Sequence, residues 1–494
     1  MASLHNPEII ALLQRMAHGM VKGAPQGWQR ASFSAHADKH GTGGHGAVNV
    51  LANGRSRPGS MRMPKQLQRV FELDDTGADK LAIELMVHPD GRFEAMTSRA
   101  IARKSGGAPG EVSHVYVLRP DIRPPDPGDF QAGPAVPTQA GDPQEAVRLL
   151  RAYLCKRAEI LGREPGRLED ELPAPWDAQT IEDLEGALRV RLPDDLRALY
   201  AVADGDGRSR LFDRHPWLGL RELVAWHHTD PWWASGDTWE HHTLGSIRSE
   251  GVPRAAVRSS AHRPGWIIFA ESTGGDFLAV DMDPAEGGRP GQVIRLGMHH
   301  GNGPVYVADS VTELLRLQLA ALERGDYTCD VVTGELWIEA GLPERHGDAA
   351  DGADSGTGDV GAAAEATVHH VLATCDAELA PLAGHPTLAA VTVRSAEAVS
   401  MAPLRDCPRL YGLDLSGAAV RDLDVVAEIP GLRYLSMRRE QWHQLTESAG
   451  RPSDLTAAVL VGAASPGALA AWAEGLGGSD YDIRFHHGRL PEDT

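Results

Sequence analysis

Asp276, Asp281 and Asp283 lie close together along one stretch, and clustered carboxylates can hold a divalent cation for hydrolysis. On a strand Asp281 and Asp283 would share a face, but Asp283-Pro284 reads as entry into a turn, where carboxylates satisfy backbone donors instead. Histidine doublets at His227-His228 and His241-His242 could ligate a metal. Yet no Cys or Glu completes a ligand pattern, and the doublet recurs at His299-His300, His369-His370 and His486-His487 without context. No nucleophile stands beside a base at a recognised spacing, and no Walker-type or Rossmann glycine pattern occurs. These residues therefore predict no catalysis, no metal and no cofactor.

A second chemistry-bearing feature is aromatic. Six of the 11 tryptophans fall between Trp217 and Trp266: those two with Trp226, Trp232, Trp233 and Trp239. Such clusters either fill a core or anchor an interface. Trp217, Trp226, Trp232, Trp233 and Trp239, with Asp276, Asp281 and Asp283, are the candidate partner-binding residues.

The 494 residues suggest several domains. With 48 Lys+Arg against 68 Asp+Glu the net charge is -20, which disfavours a phosphate-backbone ligand and so nucleic acid. No cationic start followed by an apolar run, and no stretch of about 18 apolar residues, marks a leader or a membrane span, so a cytoplasmic protein is expected. Cys155, Cys329, Cys375 and Cys407 are far apart, which signals neither a disulfide framework nor a zinc knuckle. The six lysines against 42 arginines read as a GC-rich bacterial genome.

Two stretches divide the chain. Residues 121–143 are proline-rich and 341–366 are Gly, Ala, Asp and Ser, so both are expected to be linkers. That leaves 1–120, 144–340 and 367–494. In the first, Asn6-Pro7 opens a helix, Pro64 to Leu73 forms a second, and alternation from Leu81 to Val87 before His88-Pro89-Asp90-Gly91 predicts a hairpin. In the second, helices are expected at 143–161, around Ile181 to Leu188, and after Leu192-Pro193, with Asp194 or its neighbour as cap. Strands at 266–270, 277–282 and 291–294 should form an antiparallel sheet, and Ser310-x-x-Glu313 should cap a closing helix. In the third, Pro386-x-Leu388-x-x-Val391-x-Val393 recurs at 408 and 430, an offset of 22 residues, which predicts stacked short parallel strands. A degenerate fourth coil at Leu455 to Leu460 and a capping helix through Leu469 and Trp472 should follow.

The central residues, from Ile181 to Tyr200, through Gly219-Leu220 and Gly274-Gly275-Asp276-Phe277-Leu278 to Val280-Asp281-x-Asp283-Pro284, then Gly291-Gln292-Val293-Ile294 and the helix before Tyr327, resemble the Smi1/Knr4 (SUKH) family. Asp204-Gly205 stands where that family usually has Asn-Gly, and 225–263 is a long insert. The resemblance implies a non-enzymatic binding domain, found in bacterial immunity proteins and in fungal regulators of cell-wall synthesis. The third segment resembles leucine-rich repeats, with Gly417 and Arg439 replacing the usual Asn. The first is weakly similar to YezG-type immunity proteins. The expected fold is multidomain α+β: a Smi1/Knr4-like antiparallel sheet with helices, followed by a short leucine-rich-repeat-like solenoid. The leading functional expectation is an immunity protein that binds a toxin domain, basic in charge. The alternatives are a regulatory scaffold and, last, a metal-dependent hydrolase.

Overall fold

In the computed structural model, the structure describes residues 6–59, 63–74, 77, 79–105, 112–163, 172–207, 210–212, 214–229, 238–242, 244, 255–300, 303–330, 335–338, 370–479 and 483–491. In chain order the elements are α1 (Pro7–Lys22), β1 (Trp28–Asp38), β2 (Gly41–Leu51), β3 (Ser56–Pro58), α2 (Pro64–Leu73), β4 (Lys80–Val87), β5 (Arg92–Ser98), β6 (Ile101–Ser105) and β7 (Val112–Val117). Then come α3 (Pro143–Ile160), α4 (Ala178–Leu188), α5 (Asp194–Tyr200), α6 (Leu220–His227), β8 (Trp266–Glu271), β9 (Asp276–Asp281), β10 (Gln292–Gly297), β11 (Val305–Ala308), α7 (Val311–Arg324), β12 (Tyr327–Asp330) and β13 (Glu335–Ile338). The last are β14 (His370–Ala373), α8 (Asp376–Leu379), β15 (Ala390–Val399), β16 (Gly412–Val420), α9 (Val425–Glu428), β17 (Tyr434–Arg438), α10 (Arg439–Ser448), β18 (Ala457–Val461), α11 (Pro466–Gly475) and β19 (Ile483–Arg489).

The chain forms two units rather than three domains in series. One comprises Met1–Arg123, Thr238–Leu244 and Gly356–Thr494; the other comprises Pro124–Asp237 and Gly245–Ser355. In the first unit a six-stranded sheet runs β19-β5-β4-β1-β2-β3 and a seven-stranded sheet runs β14-β15-β16-β17-β18-β7-β6. Asn6 caps α1 through the Glu8 amide, and the α1 stripe of Ile9, Leu12, Leu13 and Met16 buries against Phe33, Ile83 and Leu85 of the sheet. The β4–β5 hairpin forms as the alternation predicts.

The 22-residue repeat lies on parallel strands in matching register: Ala390 faces Gly412, which faces Tyr434. Val391, Val393, Leu413, Leu415, Leu435 and Met437 are all fully buried. The degenerate fourth copy is β18, parallel to β17. The expectation of a separate solenoid closed by a helix is corrected at this point. The free edge of β18 pairs antiparallel with β7, with Leu460 opposite His114, so the array continues into the N-terminal segment as one mixed sheet. Strand β19 likewise completes the N-terminal sheet beside β5. An unpaired edge must be covered, and here a distant strand does it instead of α11.

In the second unit a four-stranded antiparallel sheet, β11-β10-β9-β8, carries the expected strands. One face packs on α3, α5 and α7 through Leu149, Leu196, Leu314 and Leu315 with Ile267, Phe269, Leu278 and Val293. The other face, with Trp266, Ile268, Phe277 and Ile294, is covered by Leu218, Ala256 and Val257. Ser310 caps α7 by accepting from the Glu313 amide. The N-cap of α5, by contrast, is Pro193, without a side-chain cap. Asp195, the second residue of the helix, accepts instead from the amide (2.9 Å) and hydroxyl (3.0 Å) of Thr312, which joins α5 to the start of α7. The expected proline-rich linker is built into this unit: Pro127–Phe130 is a 3-10 turn, and a side chain described below binds the carbonyls of Gly128 within it and of Gln131 just after it. The second expected linker, 341–366, lies outside the described residues.

Candidate functional site

The three aspartates do not converge. Asp276 opens β9, and its carboxylate accepts from the His299 amide and Nδ1, each at 3.1 Å. Asp281 closes β9 on the buried side. Its Oδ1 accepts from the Asp283 amide (2.9 Å) and its Oδ2 from Gln292 Nε2 (2.9 Å), which also donates to the Ala256 carbonyl. Burial pushes the Asp281 carboxyl up to about 7 although those hydrogen bonds pull it down. Asp283 points elsewhere, with Oδ1 on Arg258 Nε (3.1 Å) and Oδ2 on Arg263 Nε (2.7 Å).

Those two arginines come from the insert and tie down the proline stretch. Arg263 Nη1 reaches Asp126 (2.9 Å) and Asp129 (3.0 Å), and Arg258 Nη1 donates to the carbonyls of Gly128 and Gln131, both at 2.7 Å. Burial raises the Asp126 carboxyl, against the hydrogen bonds from Ser260 and Gly128 and the nearby Arg263 charge. Every carboxylate of the candidate set thus has a structural partner. Among the described residues no group of three or more His, Cys, Asp or Glu could hold a metal ion.

The tryptophans separate as well. Trp217 is 2% exposed, packed between Tyr200 and Phe212, and Trp266 is 3% exposed. Both fill the core of the second unit, so Trp217 offers no surface to a partner. Trp226 is half-buried, edge-on to Phe277, and donates from Nε1 to Glu271 at 3.1 Å. Trp232 and Trp233 lie outside the described residues. Trp239 belongs to the first unit, where it is 2% exposed. Among the described ones of the five candidates, Trp217 and Trp239 are each buried within their own unit, and Trp226 alone keeps exposed surface.

Sequence reasoning missed a polar cavity of about 340 Å³ in the first unit. The face of the six-stranded sheet opposite α1 and α2 carries Ser34, His36, Lys80 and Glu84, and Arg103 of β6 leans over them. Arg103 Nη1 donates to Ser34 Oγ (2.7 Å) and lies 3.6 Å from Glu84, which is also 3.6 Å from His114 Nε2. Lys80 pairs with Glu240 at 3.2 Å. The His36 ring packs so closely on β2 that a Cβ at Gly43 would come within 2.7 Å of it. Burial and the Lys80 charge lower the His36 titration. The run Gly41-Thr42-Gly43-Gly44-His45-Gly46 was the available signal: glycine inside a strand marks a close approach.

The second unit is a helix-backed antiparallel sheet in which Asp276, Asp281 and Asp283, at the ends of β9, are all structurally engaged. Residues 175–317 are a match to the family described as SMI1 / KNR4 family (SUKH-1). Among curated proteins the chain is 36% identical over 90 residues to a KNR4/SMI1 homolog of Yarrowia lipolytica, covering 18% of this chain and 12% of that protein. It is 27% identical over 176 residues to the Schizosaccharomyces pombe "Cell wall biosynthesis/cell cycle regulator smi1", covering 33% and 34%. It is 33% identical over 202 residues to a Neurospora crassa "Glucan synthesis regulatory protein", covering 34% and 37%. The chain thus spans little more than a third, or less, of these relatives' lengths. The three relatives are fungal, and their names support the regulatory reading over bacterial immunity. The YezG-type and leucine-rich-repeat resemblances draw no support from them.

Proposed function

We propose that the chain is a non-enzymatic regulator of the Smi1/Knr4 type that works by binding protein. The observation that carries this reading is the match at 175–317 to a family whose fungal relatives are named as regulators of cell-wall or glucan synthesis. The structural engagement of Asp276, Asp281 and Asp283 supports the absence of turnover. A cytoplasmic setting belongs to the same reading and is supported by four free cysteines: Cys155, Cys329, Cys375 and Cys407.

Proximity labelling with the full chain in its native cell tests the partner. Wall-polymer synthases or their signalling proteins are the expected enriched class, and enrichment of a toxin domain alone would replace regulation by immunity. The purified chain, screened with phosphodiester, ester and peptide substrates with and without divalent metals, should be inert. Turnover abolished by Asp281→Asn would overturn the non-enzymatic reading.

A further inference from the structure

Thr238–Leu244 comes from the insert in the middle of the matched stretch, yet it belongs to the unit built from the two ends of the chain. The described residues of this segment, whose sequence is Thr-Trp-Glu-His-His-Thr-Leu, are turn, bend or irregular rather than helix or strand. Contacts between its side chains and the parallel sheet hold it instead. Trp239 stacks on Tyr434, with ring centroids 6.1 Å apart at 20°, and donates from Nε1 to the Ile122 carbonyl at 2.6 Å. Three residues on, His242 is 6% exposed, with its ring 5.3 Å from that of Tyr434 and its Nε2 3.4 Å from Tyr411 Oη. Two further on, Leu244 lies over Gly412, where a Cβ would come within 2.6 Å of Leu244 Cδ2.

Between the anchors, polar groups hold the segment's backbone and charge. Lys104 Nζ donates to the carbonyls of His241 (3.1 Å) and His242 (3.0 Å), and Lys80 pairs with Glu240 at 3.2 Å. The receiving surface is formed by the sheet itself. Gly412 and Tyr434 are partners in neighbouring parallel strands, so the repeat register sets a residue without a side chain beside an aromatic wall. Buried anchors at the second, fifth and seventh positions of a short segment, with lysines on its carbonyls and carboxylate, are how a protein surface recognises a short linear peptide.

We propose that the sheet surface around Tyr411, Gly412 and Tyr434 is a peptide-recognition site, and that Thr238–Leu244 is its resident intramolecular ligand, exchangeable for a partner segment of the same chemistry. That chemistry is an aromatic followed by an acid, an imidazole or small aromatic three residues after the first, and an aliphatic five after it. A tethered ligand acts at an effective concentration of about a millimolar, so the unaltered chain holds the site closed against dilute partners. This proposal is independent of which process the chain regulates.

The test uses a fluorescein-labelled peptide spanning residues 238–244 and the full chain. In the Trp239→Ser/His242→Ser variant the site is vacated, and the peptide binds at least about tenfold more tightly than to the unaltered chain. Adding Tyr434→Ala to that variant removes the binding. A folded double variant that fails to bind the peptide overturns the proposal, as does equal binding to the unaltered chain. Should the double variant not fold, the unaltered chain titrated with millimolar unlabelled peptide gives the reading through deuterium uptake at residues 238–242. Faster uptake supports exchange at one site, and unchanged uptake overturns it.

Discussion

Asp281 makes the stability of the second unit depend on pH in a direction opposite to that of most paired carboxylates. Its carboxyl is fully buried and titrates near 7 rather than at 3.8. Between those values the folded chain keeps a proton that the unfolded chain gives up, so stability falls as pH rises, by about 1.4 kcal/mol per pH unit. The accumulated cost is fully present above pH 7 and amounts to roughly 4 kcal/mol at most.

Asp281→Asn removes the charge and with it the slope. It also sets an amide donor near Gln292 Nε2, a loss of about 1 to 3 kcal/mol that does not vary with pH. The slope, rather than the absolute stability, is therefore the observable. Hydrogen exchange of the β9 amides, corrected for intrinsic rates, gives opening free energies from pH 4 to 8 in both proteins. The difference should shift in the variant's favour by several kcal/mol across that range. Parallel profiles would show that the buried carboxyl titrates normally, and the account of Asp281 given above would fail.

Leu413→Asp places a charge at a fully buried position and should cost about 4 kcal/mol. Limited proteolysis should then cut both chain ends and the 238–244 segment seated on that sheet, because β18 and β19 complete sheets with β7 and β5, while the helices and the four-stranded sheet of the second unit stay resistant. Arg263→Met leaves Asp126, Asp129 and Asp283 without their shared cation. A loss of about 2 kcal/mol in urea unfolding is expected, reduced by the exposure of Asp129 and fading as pH falls through the Asp126 titration, which burial raises. Gly43→Ala drives a methyl into the His36 ring and should perturb the His36 resonance in NMR while leaving the parallel sheet's exchange protection unchanged.

The elements were legible wherever the signal was local. Asn6-Pro7, Ser310 with Glu313, and the Asp90-Gly91 hairpin act over a few residues, and the helix and strand they predict are present. The 22-residue repeat carried its own register, since identical spacing brings Leu413 beside Leu435 as soon as the strands pair. The roles of the candidate residues were not legible. Whether an aspartate binds a metal or a neighbouring amide depends on what the fold brings to it, and Arg258 and Arg263 reach Asp283 from 25 and 20 residues away in sequence.

Nor could spacing show that His114 would face Leu460, that Phe485 would face Met96, or that Trp239 would leave its neighbours to stack on Tyr434. Local periodicity determined which faces are apolar and hence the strands, helices and repeat. Tertiary structure decided which exposed edges close on one another, because edge pairing depends on backbone donors and acceptors that every sequence carries alike, and only the packed cores on either side select the partner.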